Sequence, residues 1–153
     1  MRKQILICIL IFGFSLFAVA EEKDLLKIEA SSSPKRLSRG QKGKIVIKLT
    51  VEEGIFISPE PSFIIEFTPC EELIIPKSLS TDSGLDIDIL EENGEDHLDL
   101  REAIEIPFTV RLMAKQGNRL LEGKIKYFAC SKEEGWCIKY TSKFSVAFYI
   151  RRP

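Results

Sequence analysis

Apolar and polar residues alternate with a period of two along much of the chain. The stretch GKIVIKLTV puts Ile45, Ile47 and Leu49 on one side and lysines on the other. Such alternation is typical of β-strands with one buried face. The same pattern, together with runs of β-branched and aromatic residues, predicts strands at 25–30, 43–51, 62–67, 85–90, 104–112, 122–130 and 143–150.

Turn signals separate the predicted strands. The stretches SRGQKG, SPEPS, ENGED and KQGN concentrate the Gly, Pro, Asn and Asp residues that favour turns. The one helical signal is a single turn near DHLDLREA, and EASSSPKRLSRG is interpreted as a loop between the first two strands. Seven or more short strands at this spacing predict an all-β fold, an immunoglobulin-like antiparallel β-sandwich.

The N-terminus has the layout of a cleaved secretory signal. Two basic residues precede an apolar run at 5–17, and a small-residue site ends at Ala20. The run is shorter than the roughly 20 residues that cross a bilayer, so an uncleaved anchor is the less favoured alternative. We therefore expect a signal peptide at 1–20 and a single domain at 21–153, periplasmic or secreted.

Charge and cysteine count narrow the function further. Cleavage after Ala20 would leave 153 − 20 = 133 residues, with 22 − 2 = 20 basic and 23 acidic side chains. The two signs are interspersed, so no basic face indicates nucleic acid. Three cysteines would remain, in a compartment where disulfides persist. The near neighbours Cys130 and Cys137 are expected to pair, and Cys70 is expected to be a buried free thiol.

The stretch YFACSKEEGWCIKY places Cys130 at the end of one predicted strand and Cys137 at the start of the next. Directly opposed residues of antiparallel strands have Cα atoms about 4.5 Å apart, which suits a disulfide. A closed loop of about eight residues is worth about 2.5 kcal/mol, whereas a bond from Cys70 to Cys130 would be worth about 4.3 kcal/mol. The short link suits a reversible, partner-accessible disulfide as well as a structural one, and spacing alone leaves both open.

Zinc is the third alternative for these cysteines. Cys70, His97, Cys130 and Cys137 could supply three thiolates and one imidazole. Structural zinc sites usually carry ligand pairs separated by roughly two to four residues, and the spacing of Cys130 and Cys137 is wider. His97 lies in a charged stretch, where a solvated side chain is expected. No metal and no small-molecule cofactor is therefore predicted.

Two stretches resemble the N-terminal domain of the thiol:disulfide interchange protein DsbD, also called the disulfide bond corrector domain. The stretch YFACSKEEGWCI is similar to the family's signature of a strand, a cysteine, a loop, a glycine, an aromatic residue and a second cysteine. The stretch GKIVIKLTVEEGIFISPEP resembles the family's early strand, its glycine-containing turn and the aromatic segment that follows. With EAIEIPFTVRL between them, the likeness covers about residues 25–150.

The resemblance implies a sandwich whose cysteine pair carries electrons between thioredoxin-like partners outside the cytoplasm, as a thiol–disulfide oxidoreductase. It implies that Cys137 contacts the partner and that Cys130 resolves the mixed disulfide. Trp136 would shield the disulfide or contact the partner, and packing against the hairpin or the core is the alternative for it. Gly135 is expected to supply a positive φ for the turn. A separate membrane thiol reductase is a further expected partner.

The chain departs from the family pattern in two places. The second cysteine is followed by CIKYTSK, where the family often has prolines. The family also shields its disulfide with a loop that bears an aromatic residue between acidic ones, and residues 79–99 are acidic but contain no Phe, Tyr or Trp. The sequence therefore assigns no segment as the shielding loop and leaves open whether one is present. The alternative function, from a different class, is a secreted β-sandwich binding or adhesion module whose disulfide is only structural.

Overall fold

The computed structural model describes residues 25–152 and shows an all-β architecture. Across these residues no helix is present. The strands are β1 (Leu26–Ser33), β2 (Arg36–Leu37), β3 (Lys42–Val51), β4 (Ile55–Ser58), β5 (Ile64–Phe67), β6 (Leu73–Ile74), β7 (Ser78–Ser80), β8 (Ile89–Glu92), β9 (Glu95–Leu98), β10 (Ile104–Val110), β11 (Gly117–Ser131) and β12 (Cys137–Ile150).

Two sheets form the sandwich. The first has the strand order β1-β3-β10-β6, and the second has the order β2-β12-β11-β5-β7, with β4 also paired to β11. All pairs are antiparallel except that between β2 and β12. Strands β1, β3 and β10 occupy the A, B and E positions of an immunoglobulin domain, and β5, β11 and β12 occupy the C, F and G positions. The predicted immunoglobulin-like β-sandwich, with the cysteine pair on a hairpin, is confirmed.

The period-two pattern defines the core between the sheets. In β3, Ile45 and Ile47 are fully buried, and the flanking Lys44 and Lys48 point outward, as predicted. In β12, Val146, Phe148 and Ile150 line the same core. Each such buried apolar side chain stabilises the fold by about 1.5–3 kcal/mol. Burial of these alternating side chains therefore holds the two sheets face to face.

The prediction that EASSSPKRLSRG forms a loop is wrong in part. Strand β1 continues to Ser33, because the backbone of 31–33 pairs with β3. Ser32 is buried there, and its Oγ donates a hydrogen bond to the Pro34 carbonyl oxygen (2.7 Å). This satisfied hydroxyl lets a polar serine occupy a core-facing position. The remainder of the stretch contributes the short strand β2.

The region from 85 to 99 also differs from the prediction. Its first strand lies four residues later than expected, at β8, and no helical turn forms near DHLDLREA. Strands β8 and β9 instead make a hairpin around Asn93 and Gly94, whose φ values are 55° and 78°. Two consecutive positive φ values are what a tight two-residue hairpin turn requires. The ENGED turn signal therefore joined two strands rather than separating a strand from a helix.

Residues 25–152 include no helix that is long and apolar enough to cross a bilayer. The predicted signal peptide at 1–20 lies outside the residues that the structure describes. It stays a prediction.

Candidate functional site

Cys130 and Cys137 form a disulfide, as predicted, with an S–S distance of 2.02 Å. The two residues are directly opposed in the β11–β12 register, and their Cα atoms lie 4.1 Å apart. This close approach is typical of a non-hydrogen-bonded antiparallel pair. Among residues 25–152 Cys70 is the free cysteine, but it is half-buried rather than buried and packs against the core.

The loop between the cysteines is closed by its own backbone. The Ser131 N–H donates to the Trp136 carbonyl oxygen (2.9 Å), and the Gly135 N–H donates to the Ser131 carbonyl oxygen (3.1 Å). Ser131 Oγ accepts a further bond from the Glu134 N–H (3.1 Å). Gly135 has a φ of 73°, which confirms the expected turn conformation. These bonds hold the two cysteines in register independently of the disulfide.

The two sulfurs have opposite surroundings. Cys130 is 1% exposed, whereas Cys137 is exposed to solvent. Phe56 on β4 is the residue directly opposite Cys130 on its other side. Since directly opposed residues point to the same face of a sheet, Phe56, Cys130 and Cys137 form one row across three strands. Cys130 is therefore enclosed from both sides, and Cys137 forms the accessible end of the row.

The β8–β9 hairpin lies against this row. The His97 ring packs at 6.1 Å from the Phe56 ring, and Lys132 Nζ lies 3.2 Å from the Glu92 carboxylate. His97 Nε2 lies 3.9 Å from that same carboxylate. Together with Asn93 and Glu95 these residues line a cleft of about 240 Å³ beside the cysteine hairpin.

The expectation of a solvated His97 is wrong. This residue lies in β9, its side chain is only 16% exposed, and it contacts an aromatic ring. Phe56 is a further site residue that the sequence pattern does not predict, although it lies within GKIVIKLTVEEGIFISPEP, the stretch that resembles the DsbD domain. Only the pairing of β4 with β11 brings it to Cys130, because 74 residues separate the two in sequence. The sequence signal for Phe56 is that it is the one aromatic residue in the short strand that follows the Gly54 turn.

Trp136 is half-buried and packs against the core. Its Nε1 donates to the Glu134 carboxylate (2.7 Å). It shares a cleft with Tyr140, whose ring stacks on that of buried Tyr127 at 5.9 Å. Positions 137 and 140 lie on opposite faces of β12. The Trp136 ring therefore contacts the cleft on the core side of the hairpin tip, whereas the disulfide lies on the outer face.

The zinc alternative finds no support among residues 25–152. No group of three or more His, Cys, Asp or Glu side chains converges there in a way that could hold a metal ion. Cys130 and Cys137 are bonded to each other, and His97 is directed at Phe56 and Glu92.

No protein-family model matches the chain, and no curated protein matches it significantly. Among solved structures, it is similar to a cohesin module of a family 33 glycoside hydrolase from Clostridium perfringens, with 11% identity over 82% of this chain and 94% of the other, at a TM-score of 0.45. A chain of a type I cohesin–dockerin complex from Clostridium thermocellum shares 13% identity over 84% of this chain and 100% of the other, at 0.44. The major subunit of aggregative adherence fimbriae type I from Escherichia coli shares 7% identity over 82% and 95%, at 0.37. Similarity at this level assigns neither a family nor a function.

Proposed function

We propose that this chain is an extracytoplasmic thiol–disulfide exchange domain that passes electrons between thioredoxin-like partners through a reversible Cys130–Cys137 disulfide. The observation that carries the proposal is the asymmetry of the pair, with Cys137 exposed and Cys130 buried. Exchange requires a thiolate to reach one sulfur of the bond. Here a partner can reach Cys137. Cys130 is the sulfur that leaves when a partner thiolate attacks the bond, and in the reverse direction it is the thiolate that resolves the mixed disulfide. The resemblance to the DsbD N-terminal domain supports the same assignment of roles.

The reaction follows from this geometry. In the reduced domain, the Cys137 thiolate attacks one sulfur of a partner disulfide, forming a mixed disulfide and releasing the partner's other sulfur as a thiolate. The Cys130 thiolate then attacks Cys137 Sγ, which re-forms the internal bond and releases the partner's second thiolate. Two electrons thus pass to the partner, whose thiolates take up protons. A second dithiol partner, such as a separate membrane thiol reductase, restores the reduced pair by the reverse steps.

The hairpin is suited to repeated opening of this bond. Paired backbone on β11 and β12 continues from the cysteines along both strands, and the loop has its own hydrogen bonds. Loss of a disulfide that closes so short a loop costs about 2.5 kcal/mol. Both redox states can therefore keep the same fold, which a shuttle between two partners requires.

Two of the charged side chains in the hairpin loop have partners of their own. Lys132 is paired with Glu92, and Glu134 accepts the Trp136 N–H. Lys139 lies two residues along β12 on the same face as the Cys137 side chain, and it makes no ion pair with the described part of the chain. Lys139 and Glu133, which have opposite charges, are thus exposed charged side chains near Cys137 that form no ion pair with the described residues.

The competing function is a secreted binding or adhesion module whose disulfide is only structural. The burial of Cys130 is the observation that favours it, because a buried sulfur resists exchange. The two functions predict different reduction potentials.

The test is the reduction potential of the Cys130–Cys137 pair, measured by titration with glutathione or dithiothreitol and thiol-trapping mass spectrometry. We expect a value between roughly −180 and −270 mV, the range of exchange proteins. A value below about −300 mV is typical of structural disulfides. It would remove the exchange function and leave the binding module.

A further inference from the structure

The face of the second sheet that bears the disulfide continues along β11 and β12 as a row of lysines. Side chains at alternate positions share a face, so Lys139, Thr141 and Lys143 follow Cys137 on β12. On β11 the same face carries Phe128, Lys126 and Lys124. We define the lysine face as Lys124, Lys126, Lys139 and Lys143.

Folding alone does not account for the lysine face. Lys124 and Lys143 are directly opposed in the β11–β12 register, and like charges in that position destabilise a sheet. Glu66 compensates on one side only, with its carboxylate 2.9 Å from Lys126 and 3.4 Å from Lys124. The Lys126 hydrogen bond is the main cause that lowers the pKa of Glu66. No carboxylate of the described chain pairs with Lys143 or Lys139.

Protection of a sheet edge explains only part of this arrangement. Lysines on an edge strand discourage unwanted pairing, and β12 is paired on its outer side only near its end, to β2. Lys124 and Lys126, however, lie on β11, which has partners on both sides. Edge protection therefore covers Lys139 and Lys143 but not Lys124 and Lys126, and the face as a whole carries four ammonium groups against the carboxylates of Glu66 and Glu122.

We propose that the lysine face is the surface on which the exchange partner docks, and that this partner carries carboxylates beside its reactive cysteine. The proposal rests on the exchange function given above. Lys139 is about 7 Å along the strand from Cys137, and Lys143 is about 20 Å from it. The half-buried side chains of Phe128 and Ile64 lie on the same face and provide apolar contact area between the charges.

The opposite side of the disulfide fixes the orientation of the partner. The β8–β9 hairpin beyond β4 carries the exposed acidic side chains Glu91, Glu95 and Asp96. A partner with carboxylates is repelled there and attracted over β12. Complementary charge of this kind raises the association rate and selects the partner, and salt weakens both effects.

The test uses three thiol peptides that differ only in charge. Each has one cysteine followed by six residues in which Gly alternates with Glu, Lys or Gln, long enough to reach Lys143 from Cys137 when extended. The peptide thiolate attacks Cys137 Sγ, the internal bond breaks, and Cys130 leaves as a thiolate that takes up a proton. The mixed disulfide is quantified by acid quenching and mass spectrometry. Each rate is divided by the rate of the same peptide with uncharged 2-hydroxyethyl disulfide, which removes differences in thiol acidity.

At low salt we expect the Glu peptide to react about tenfold faster than the Lys peptide. The ratio should fall to about twofold in the double variant Lys139→Gln/Lys143→Gln, and it should also fall with added salt. The matched control is Lys42→Gln/Lys48→Gln, which removes two exposed lysines from β3 in the other sheet and should keep the tenfold ratio.

Two results would overturn the proposal in distinguishable ways. Equal rates for all peptides, or a ratio that the Lys139/Lys143 variant leaves unchanged, would remove the docking surface but keep the exchange function. If no peptide reacts and the potential lies in the range of structural disulfides, the exchange function fails and the docking surface fails with it.

Discussion

Cys130 and Cys137 are the same residue type in opposite environments, and the roles proposed for them rest on this contrast. A buried sulfur between Phe56 and a paired strand is out of reach of a partner, while the sulfur at the end of the row is open to it. The distinction arises from strand pairing, because both cysteines lie in the same short hairpin and are flanked by similar numbers of charged residues in the sequence.

The first prediction concerns alkylation of the reduced protein. We expect iodoacetamide to modify Cys137 at least about tenfold faster than Cys130, because access and thiolate fraction control the rate. Peptide mapping by mass spectrometry measures both rates. The variant Phe56→Ala should narrow the ratio by exposing Cys130, whereas Leu120→Ala, an exposed position on the same strand as Cys130, should leave it unchanged. Equal rates in the unmodified chain would contradict the assigned roles.

At the scale of single residues, some features of the site were predictable from the sequence and others were not. The disulfide pairing and the conformation of Gly135 were predictable because both depend on contacts within a few residues. The surroundings of His97 and the position of Phe56 were not, because each depends on which distant strand becomes a neighbour. A charged flank around a histidine does not reveal that an aromatic ring from another strand covers it.

At the scale of the element, the β11–β12 hairpin combines the site with the longest strand pairing among residues 25–152. Its register places the cysteines opposite each other, and the same register continues into the core through residues such as Tyr127 and Leu121. The hydroxyls of Tyr127 and Ser142 lie 3.1 Å apart across this pair. The hairpin is thus held by burial, backbone pairing and side-chain contacts besides the disulfide.

The second prediction concerns the stability of this hairpin. Replacing both cysteines, as Cys130→Ala/Cys137→Ala, should lower the free energy of unfolding by about 2–3 kcal/mol and keep the fold, because the loop that the bond closes is short. Urea denaturation followed by tryptophan fluorescence measures the loss, and circular dichroism checks that the β structure remains. A chain that no longer folds would show that the bond is a structural requirement and would count against reversible exchange.

At the scale of the whole molecule, the first sheet supplies a core and no part of the disulfide row. Strands β1, β3, β10 and β6 cover the inner face of the second sheet, while the disulfide lies on its outer face. The hydrophobic core and the proposed redox site therefore lie on opposite faces of one sheet. A substitution in the core should lower the free energy of unfolding and leave the reduction potential of the disulfide unchanged.

The third prediction uses that separation. Ile47→Ala, at a fully buried position of β3, should lower the free energy of unfolding by about 2–5 kcal/mol through the lost apolar contacts and the cavity left behind. The reduction potential of the Cys130–Cys137 pair, measured at a temperature where the variant is folded, should stay unchanged. A large shift in the potential would show that the core and the site are coupled.

The sequence by itself determined the all-β class, the strands of the core, the disulfide and the turn at Gly135. These features follow from residue periodicity and from contacts between near neighbours, which any short stretch contains. Only the tertiary structure decided that Cys130 is buried and Cys137 is open, and that Phe56 and His97 lie beside them. Those facts depend on the pairing of β4 with β11 and on the packing of the β8–β9 hairpin, which are contacts between segments far apart in the chain.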